Sequence, residues 1–115
     1  ILAVKGMLPI IRRLHKSYRL FILSDHTRKW FHFAMKKSQF SPYFEKAFLS
    51  YEYQSLKEEE RLFHKAIQSV KIKPSEILFV DNSKKNIQIA KGLGIQTIHF
   101  TTVKQFKNEL KKLRI

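Results

Sequence analysis

Hydrophobic positions along the chain switch between a helical period and short unbroken runs. Met7, Ile10, Ile11 and Leu14 recur at helical spacing, with Arg12, Arg13, His15 and Lys16 on the outer side. Pro9 fits only the first turn of that helix. Tyr18 to Leu23 then reads as a strand, closed by Ser24-Asp25. From Thr27 to about Lys37 the helical period returns and carries Trp30, Phe31, Ala34 and Met35 inward, a stripe that reads as core. Ser41-Pro42 breaks the chain before a short strand, Ala47 to Leu49, and a loop from Ser50 to Lys57. Glu58, Glu59 and Glu60 are expected to open a third helix, where its dipole favours acids. Leu62, Phe63, Ala66, Ile67 and Val70 form the buried stripe of that helix.

The most informative stretch follows Pro74-Ser75. Ile77 to Val80 is an apolar run of the kind found in strands buried on both faces, and Asp81-Asn82 come at once after it. Ser83 can cap a helix whose Ile87, Ala90 and Leu93 share a face, and Gly94 can end it. Gln96 to Phe100 reads as a last strand. Val103, Phe106, Leu110 and Leu113 mark a closing helix. Helices and strands thus alternate throughout. Alternation predicts right-handed crossovers and a parallel sheet, in one α/β layer sandwich over residues 1–115.

Composition narrows the class. With 43% hydrophobic residues and ten Phe, the chain can build a core and is not of the disordered type. It has no apolar run near the length of a membrane span and no signal-peptide pattern, so no membrane partner is expected. The absence of Cys excludes a disulfide framework and thiolate-bound zinc, and suits a cytoplasmic location. The first residue is Ile, which suggests a fragment whose natural N-terminus lies upstream. A net charge of +14 would attract polyanions, nucleic acid among them. The basic residues are scattered over every helix, however, with no nucleic-acid-binding motif, and solvated lysine faces account for them.

Three strand ends carry polar groups in a fixed order: Ser24, then Lys57 past the second strand, then Asp81-Asn82. Ligands of open parallel sheets bind outside the carboxyl ends of the strands. A hydroxyl, an ammonium and a carboxylate converging there form a set suited to phosphate. Ser24 can donate to a phosphoryl oxygen, Lys57 can neutralise charge, and Asp81 can help hold Mg2+, which prefers oxygen ligands. The plainer readings are a strand cap for Ser24, a solvated lysine for Lys57 and a turn for Asp81-Asn82. The five His share no ligand spacing.

These residues resemble the haloacid dehalogenase superfamily of hydrolases over nearly the whole chain. The family ends one strand in Ser or Thr, usually followed by Asn; here it is Leu23-Ser24-Asp25. Its Ser-x-Glu-x-Gly-x-x-Lys-Pro stretch appears as Ser50-Tyr51-Glu52-Tyr53-Gln54-Ser55-Leu56-Lys57-Glu58. Its strand closing on Asp-Asp, followed by Asn, Ala and Gly, appears as Asp81-Asn82, Asn86, Ala90 and Gly94. Three departures stand out. Gln54 and Glu58 replace Gly and Pro. Asn82 stands where the family places an acid that touches Mg2+. The Asp-x-Asp nucleophile motif of an earlier strand is missing, since the only aspartates are Asp25 and Asp81.

The resemblance implies a Rossmann-like three-layer sandwich of the HAD-like type, incomplete at its N-terminus and lacking most of the cap. It implies a Mg2+-dependent phosphatase of small phosphorylated metabolites, of the sugar-phosphate type, with the chain alone inactive. Lys57 would be the catalytic residue carried here. Ser24, Asp25 and Lys57 would bind phosphate, Asp81 and Asn82 would bind the metal, and Asn86 would support the motif. A non-catalytic descendant and a basic nucleic-acid-binding α/β module remain the alternatives. Dehalogenase chemistry is also open to this fold.

Overall fold

The computed structural model describes residues 6–24, 39–49 and 56–115. The chain divides at Leu62/Phe63 into two compact units. Each contains one two-stranded parallel sheet. This is the parallel α/β arrangement of a Rossmann-like fold that the alternation of periods predicts.

In the first unit, α1 (Met7–His15) buries Met7, Ile10 and Ile11 of the stripe expected from the spacing, while Leu14 is half-buried, and Pro9 falls in its first turn. The helix exit runs further than expected. Ser17 N and Tyr18 N both donate to Leu14 O, at 3.1 and 2.9 Å, and Tyr18 is 48% exposed. The strand therefore starts later than Tyr18. Strand β1 is Phe21–Ser24, and it pairs in parallel with β2 (Lys46–Leu49), Phe21 opposite Lys46 and Ser24 opposite Leu49. A single 3-10 turn, Ser41–Tyr43, precedes β2, with Pro42 in its first turn. Tyr43 ties that turn to α1 by accepting from Arg12 Nε at 2.9 Å. The helix expected from Thr27 to Lys37 lies outside the described residues, as does the loop from Ser50 to Ser55.

Helix α2 (Leu56–Val70) starts two residues before the acids expected to open it. The acids Glu58, Glu59 and Glu60 therefore still lie in its first turns, near the end of the helix dipole that favours them. Of its predicted stripe, Leu62, Phe63 and Val70 are buried, and Ala66 and Ile67 half-buried.

The second unit is built on β3 (Leu78–Asp81) and β4 (Gln96–His99), paired in parallel with Leu78 opposite Gln96 and Asp81 opposite His99. Leu78, Phe79 and Val80 are only half-buried, short of the burial on both faces expected of them. Among the described residues β3 has a ladder on one edge alone, with β4. Phe79 still makes an edge-on contact with Phe63, their ring centres 5.0 Å apart. Helix α3 (Lys84–Gly92) packs on both strands and buries Ile87 and Ala90. It ends as Gly94 predicts: Gly94 N donates to Lys91 O and Ile95 N to Ala90 O, the paired bonds of a Schellman turn. Gly94 adopts φ +83°, and Ile95 is buried directly after it. Helix α4 (Val103–Lys112) buries Phe106 and Leu110, whereas Leu113 lies beyond its last turn and is 42% exposed. No helix among the described residues is long and apolar enough to cross a membrane.

Gly94→Ala is expected to cost about 1–2 kcal/mol, because a side chain disfavours this left-handed backbone. A new Cβ would meet Pro74 only at an ordinary 3.9 Å, so crowding adds nothing. Urea unfolding measures the loss; an unchanged midpoint would mean that the turn relaxes to another conformation. A second expectation concerns Arg19 and Glu45, an exposed fork with bonds of 3.0 and 2.6 Å. The side-chain hydrogen bonds from Arg19, helped by its charge, hold the Glu45 carboxyl below its usual range. Stability from the pair is therefore present above the unfolded carboxylate value and lost as pH falls through the folded one. Glu45→Gln should flatten that acid limb slightly, and less so in high salt; identical pH–stability curves for the two proteins would exclude the contribution.

Candidate active site

Asp81 is the last residue of β3, and among the described residues it is the one charged side chain in the core, 8% exposed. A carboxylate out of water is costly unless donors meet it. Two do. Ser83 N donates to Oδ1 at 3.1 Å, and Asn86 Nδ2 donates to Oδ2 at 3.1 Å. Ser83 is extended, at φ −88° and ψ 114°, and caps α3 by accepting from Asn86 N at 3.3 Å. Asn86 thus serves twice, with its backbone amide on the cap and its side chain on the acid. Each carboxylate oxygen keeps a further lone pair for a ligand.

Asn82 is exposed between these fixed neighbours. Its carbonyl oxygen lies 3.0 Å from His99 Nε2. A carbonyl only accepts, so Nε2 carries the proton. The backbone supports the same corner: Phe100 N donates to Asp81 O at 2.7 Å. Gln105, at the start of α4, donates from Nε2 to His99 O and accepts at Oε1 from Thr101 N, at 3.0 and 3.1 Å.

Asp81, Asn82 and Asn86 therefore come together in one turn. Ser24 is the last residue of β1 and Lys57 the second residue of α2, so they occupy a parallel strand's carboxyl end and a helix's first turn. Both belong to the first unit, and their side chains lie outside the described residues, as does Asp25. Sequence reading passed over His99 and Gln105. His99 is not at ligand spacing from any acid; only the register, which sets it opposite Asp81, makes them neighbours. Gln105 had a weak signal, standing three residues after Thr102 in a Thr-x-x-Gln helix start.

The sequence matches the haloacid dehalogenase-like hydrolase family over residues 1–100. The chain belongs to that family. It is 31% identical over 109 residues to D-ribitol-5-phosphate phosphatase of Bacteroides thetaiotaomicron, covering 90% of this chain and 53% of that protein. Among solved structures it resembles a predicted HAD-like family hydrolase of Porphyromonas gingivalis, with TM-score 0.80, 25% identity, and coverage of 96% of this chain and 57% of the other. It also resembles a HAD family enzyme of Bacteroides thetaiotaomicron, an aspartate-to-alanine mutant in complex with magnesium and inorganic phosphate. That similarity has TM-score 0.74 and 28% identity, and covers 84% of this chain and 53% of the other. The chain spans about half the length of the relatives it matches.

As a haloacid dehalogenase-like site, the turn offers oxygen donors, a carboxylate and an amide, which is the donor chemistry Mg2+ takes. The set is short: among the described residues no three His, Asp or Glu side chains gather as a metal cluster. Asp81 and Asn82 are oxygen-bearing neighbours in sequence, and among the described residues they are the residues of this turn that could contribute to a Mg2+ site.

Asn86→Ala should destabilise the protein by about 1–2 kcal/mol, since it leaves a buried carboxylate oxygen short of a donor. Asn86→Asp should cost more, by also setting a like charge beside Asp81. Chemical denaturation of the two variants checks the order, and equal stability of Asp, Ala and the parent would show that Asn86 does not support Asp81.

Proposed function

We propose that this chain carries the phosphate- and metal-binding portion of a Mg2+-dependent phosphatase acting on small phosphorylated metabolites of the sugar-phosphate type. The observation that carries the reading is Asp81, buried at the end of a parallel strand and held by Ser83 and Asn86 with lone pairs to spare. The relatives support it. One is a D-ribitol-5-phosphate phosphatase, and another was crystallised with magnesium and inorganic phosphate.

In this reading Asp81 and Asn82 hold Mg2+, which when bound offsets the negative charge of the phosphoryl oxygens. Ser24 donates a hydrogen bond to one of those oxygens, with Asp25 beside it. Lys57, in the first turn of a helix, neutralises phosphate and nucleophile together. The nucleophile is an aspartate of an Asp-x-Asp motif on a strand outside this chain. Its carboxylate attacks phosphorus, the substrate oxygen leaves with a proton from the second aspartate, and water then cleaves the aspartyl-phosphate. Asn82 favours a second reading, a non-catalytic descendant, because an amide brings no charge to the metal.

Hydrolysis of D-ribitol 5-phosphate and other sugar phosphates, with excess Mg2+, tests the assignment. The 115-residue chain should show no turnover, and turnover should appear when an Asp-x-Asp strand is joined to it. In that active form Lys57→Ala should lower kcat by about 100-fold or more, and Asn82→Asp should lower the Mg2+ concentration needed. Robust turnover by the chain alone would mean that the nucleophile has been misplaced. An active protein indifferent to Lys57→Ala would return that lysine to the solvated surface. Inactivity of the joined form, unrelieved by Asn82→Asp, would favour the non-catalytic reading.

A further inference from the structure

We propose that His99 is a positioning residue for the metal-binding turn, and that Gln105 holds the backbone from which His99 acts. The proposal rests on the reading of Asp81 and Asn82 as the Mg2+ side of the site. Its core is a single peptide plane. The carbonyl of Asn82 and the amide of Ser83 belong to one rigid unit. His99 Nε2 holds the carbonyl end at 3.0 Å, and Asp81 Oδ1 holds the amide end at 3.1 Å. Rotating this peptide would break both bonds at once. It would also deprive a buried carboxylate of a donor. His99 therefore acts on Asp81 through the peptide and never has to touch a ligand.

The ring is delivered to that place by register and by Gln105. Asp81 and His99 are opposite in the β3–β4 ladder, and Phe100 N closes it on Asp81 O at 2.7 Å. The Gln105 amide grips the chain on either side of Phe100, at His99 O and Thr101 N. Gln105 is itself fixed through its backbone N, which donates to Thr102 Oγ1 at 3.0 Å. The Phe100 ring packs edge-on against Phe106, with centres 5.8 Å apart. Such outer partners orient ligands and tune metal affinity without contacting the metal.

Two readouts on the 115-residue chain test this: amide exchange followed by NMR, and binding of Mn2+ followed by paramagnetic broadening at residues 81–86. His99→Ala should speed exchange of the Ser83 amide roughly tenfold while Val80 and Ile98 exchange as before, and should weaken Mn2+ by roughly tenfold. His99→Gln, whose amide can donate to the same carbonyl, should recover most of both effects. Gln105→Ala should move both in the same direction by less. Unchanged Ser83 exchange and Mn2+ affinity in His99→Ala would overturn the proposal. So would equal acceleration at Val80 and Ile98, which would make His99 a general structural residue. If neither the parent chain nor the form joined to an Asp-x-Asp strand gives Mn2+ broadening, the metal reading and the metal role of His99 both fall, while the Ser83 rates still decide whether His99 holds the turn.

Discussion

A carboxylate taken out of water has to be met by donors, and at Asp81 the chain supplies them from its next five residues. That requirement explains why the stretch after β3 has little freedom. Ser83 must be extended so that its amide reaches back to Oδ1 while its hydroxyl caps α3. Asn86 supplies the amide N–H that reaches Oδ2. Helix α3 then leaves in a fixed direction, packs on β3 and β4, and is closed by Gly94 in the left-handed conformation. The polar turn and the apolar packing are two parts of one arrangement.

Belonging to the haloacid dehalogenase-like hydrolases gives this turn a context, and Asn82 gives it a peculiarity. An acid at that position would add charge beside Asp81; the amide keeps an oxygen donor and drops the charge. The backbone of Asn82 is put to use all the same, since its carbonyl accepts a hydrogen bond from His99 Nε2. Position 82 is thus held by its main chain even though its side chain departs from the family pattern.

Much of this was legible in the sequence because it depends on neighbours along the chain. The Ser83 cap, the Ile87/Ala90 face and the Gly94 stop are local chemistry, and all three stand as the residues suggest. Boundaries were less legible. Tyr18 looks like strand by its ring, yet its amide is still bonded to Leu14 and its side chain is exposed. Lys57 looks like loop because Glu58, Glu59 and Glu60 mark a helix start, yet the helix begins at Leu56 and those acids fall after its first two residues. His99 and Gln105 could not be placed by spacing at all. Their part in the site comes from which residues the parallel register sets side by side, and no local pattern carries that information.

The span of these bonds has a kinetic meaning. The contacts that shape the turn join residues two, three and five apart, and the longest among the side chains, from His99 to Asn82, crosses 17. Contacts of such short separation close cheaply and form early, because little chain entropy is lost in making them. The polar geometry of the turn is therefore set largely by local chain closure, at little further entropic cost once β3 and β4 have paired. The apolar packing of β3, which reaches back to Phe63, is what ties the turn to the rest of its unit.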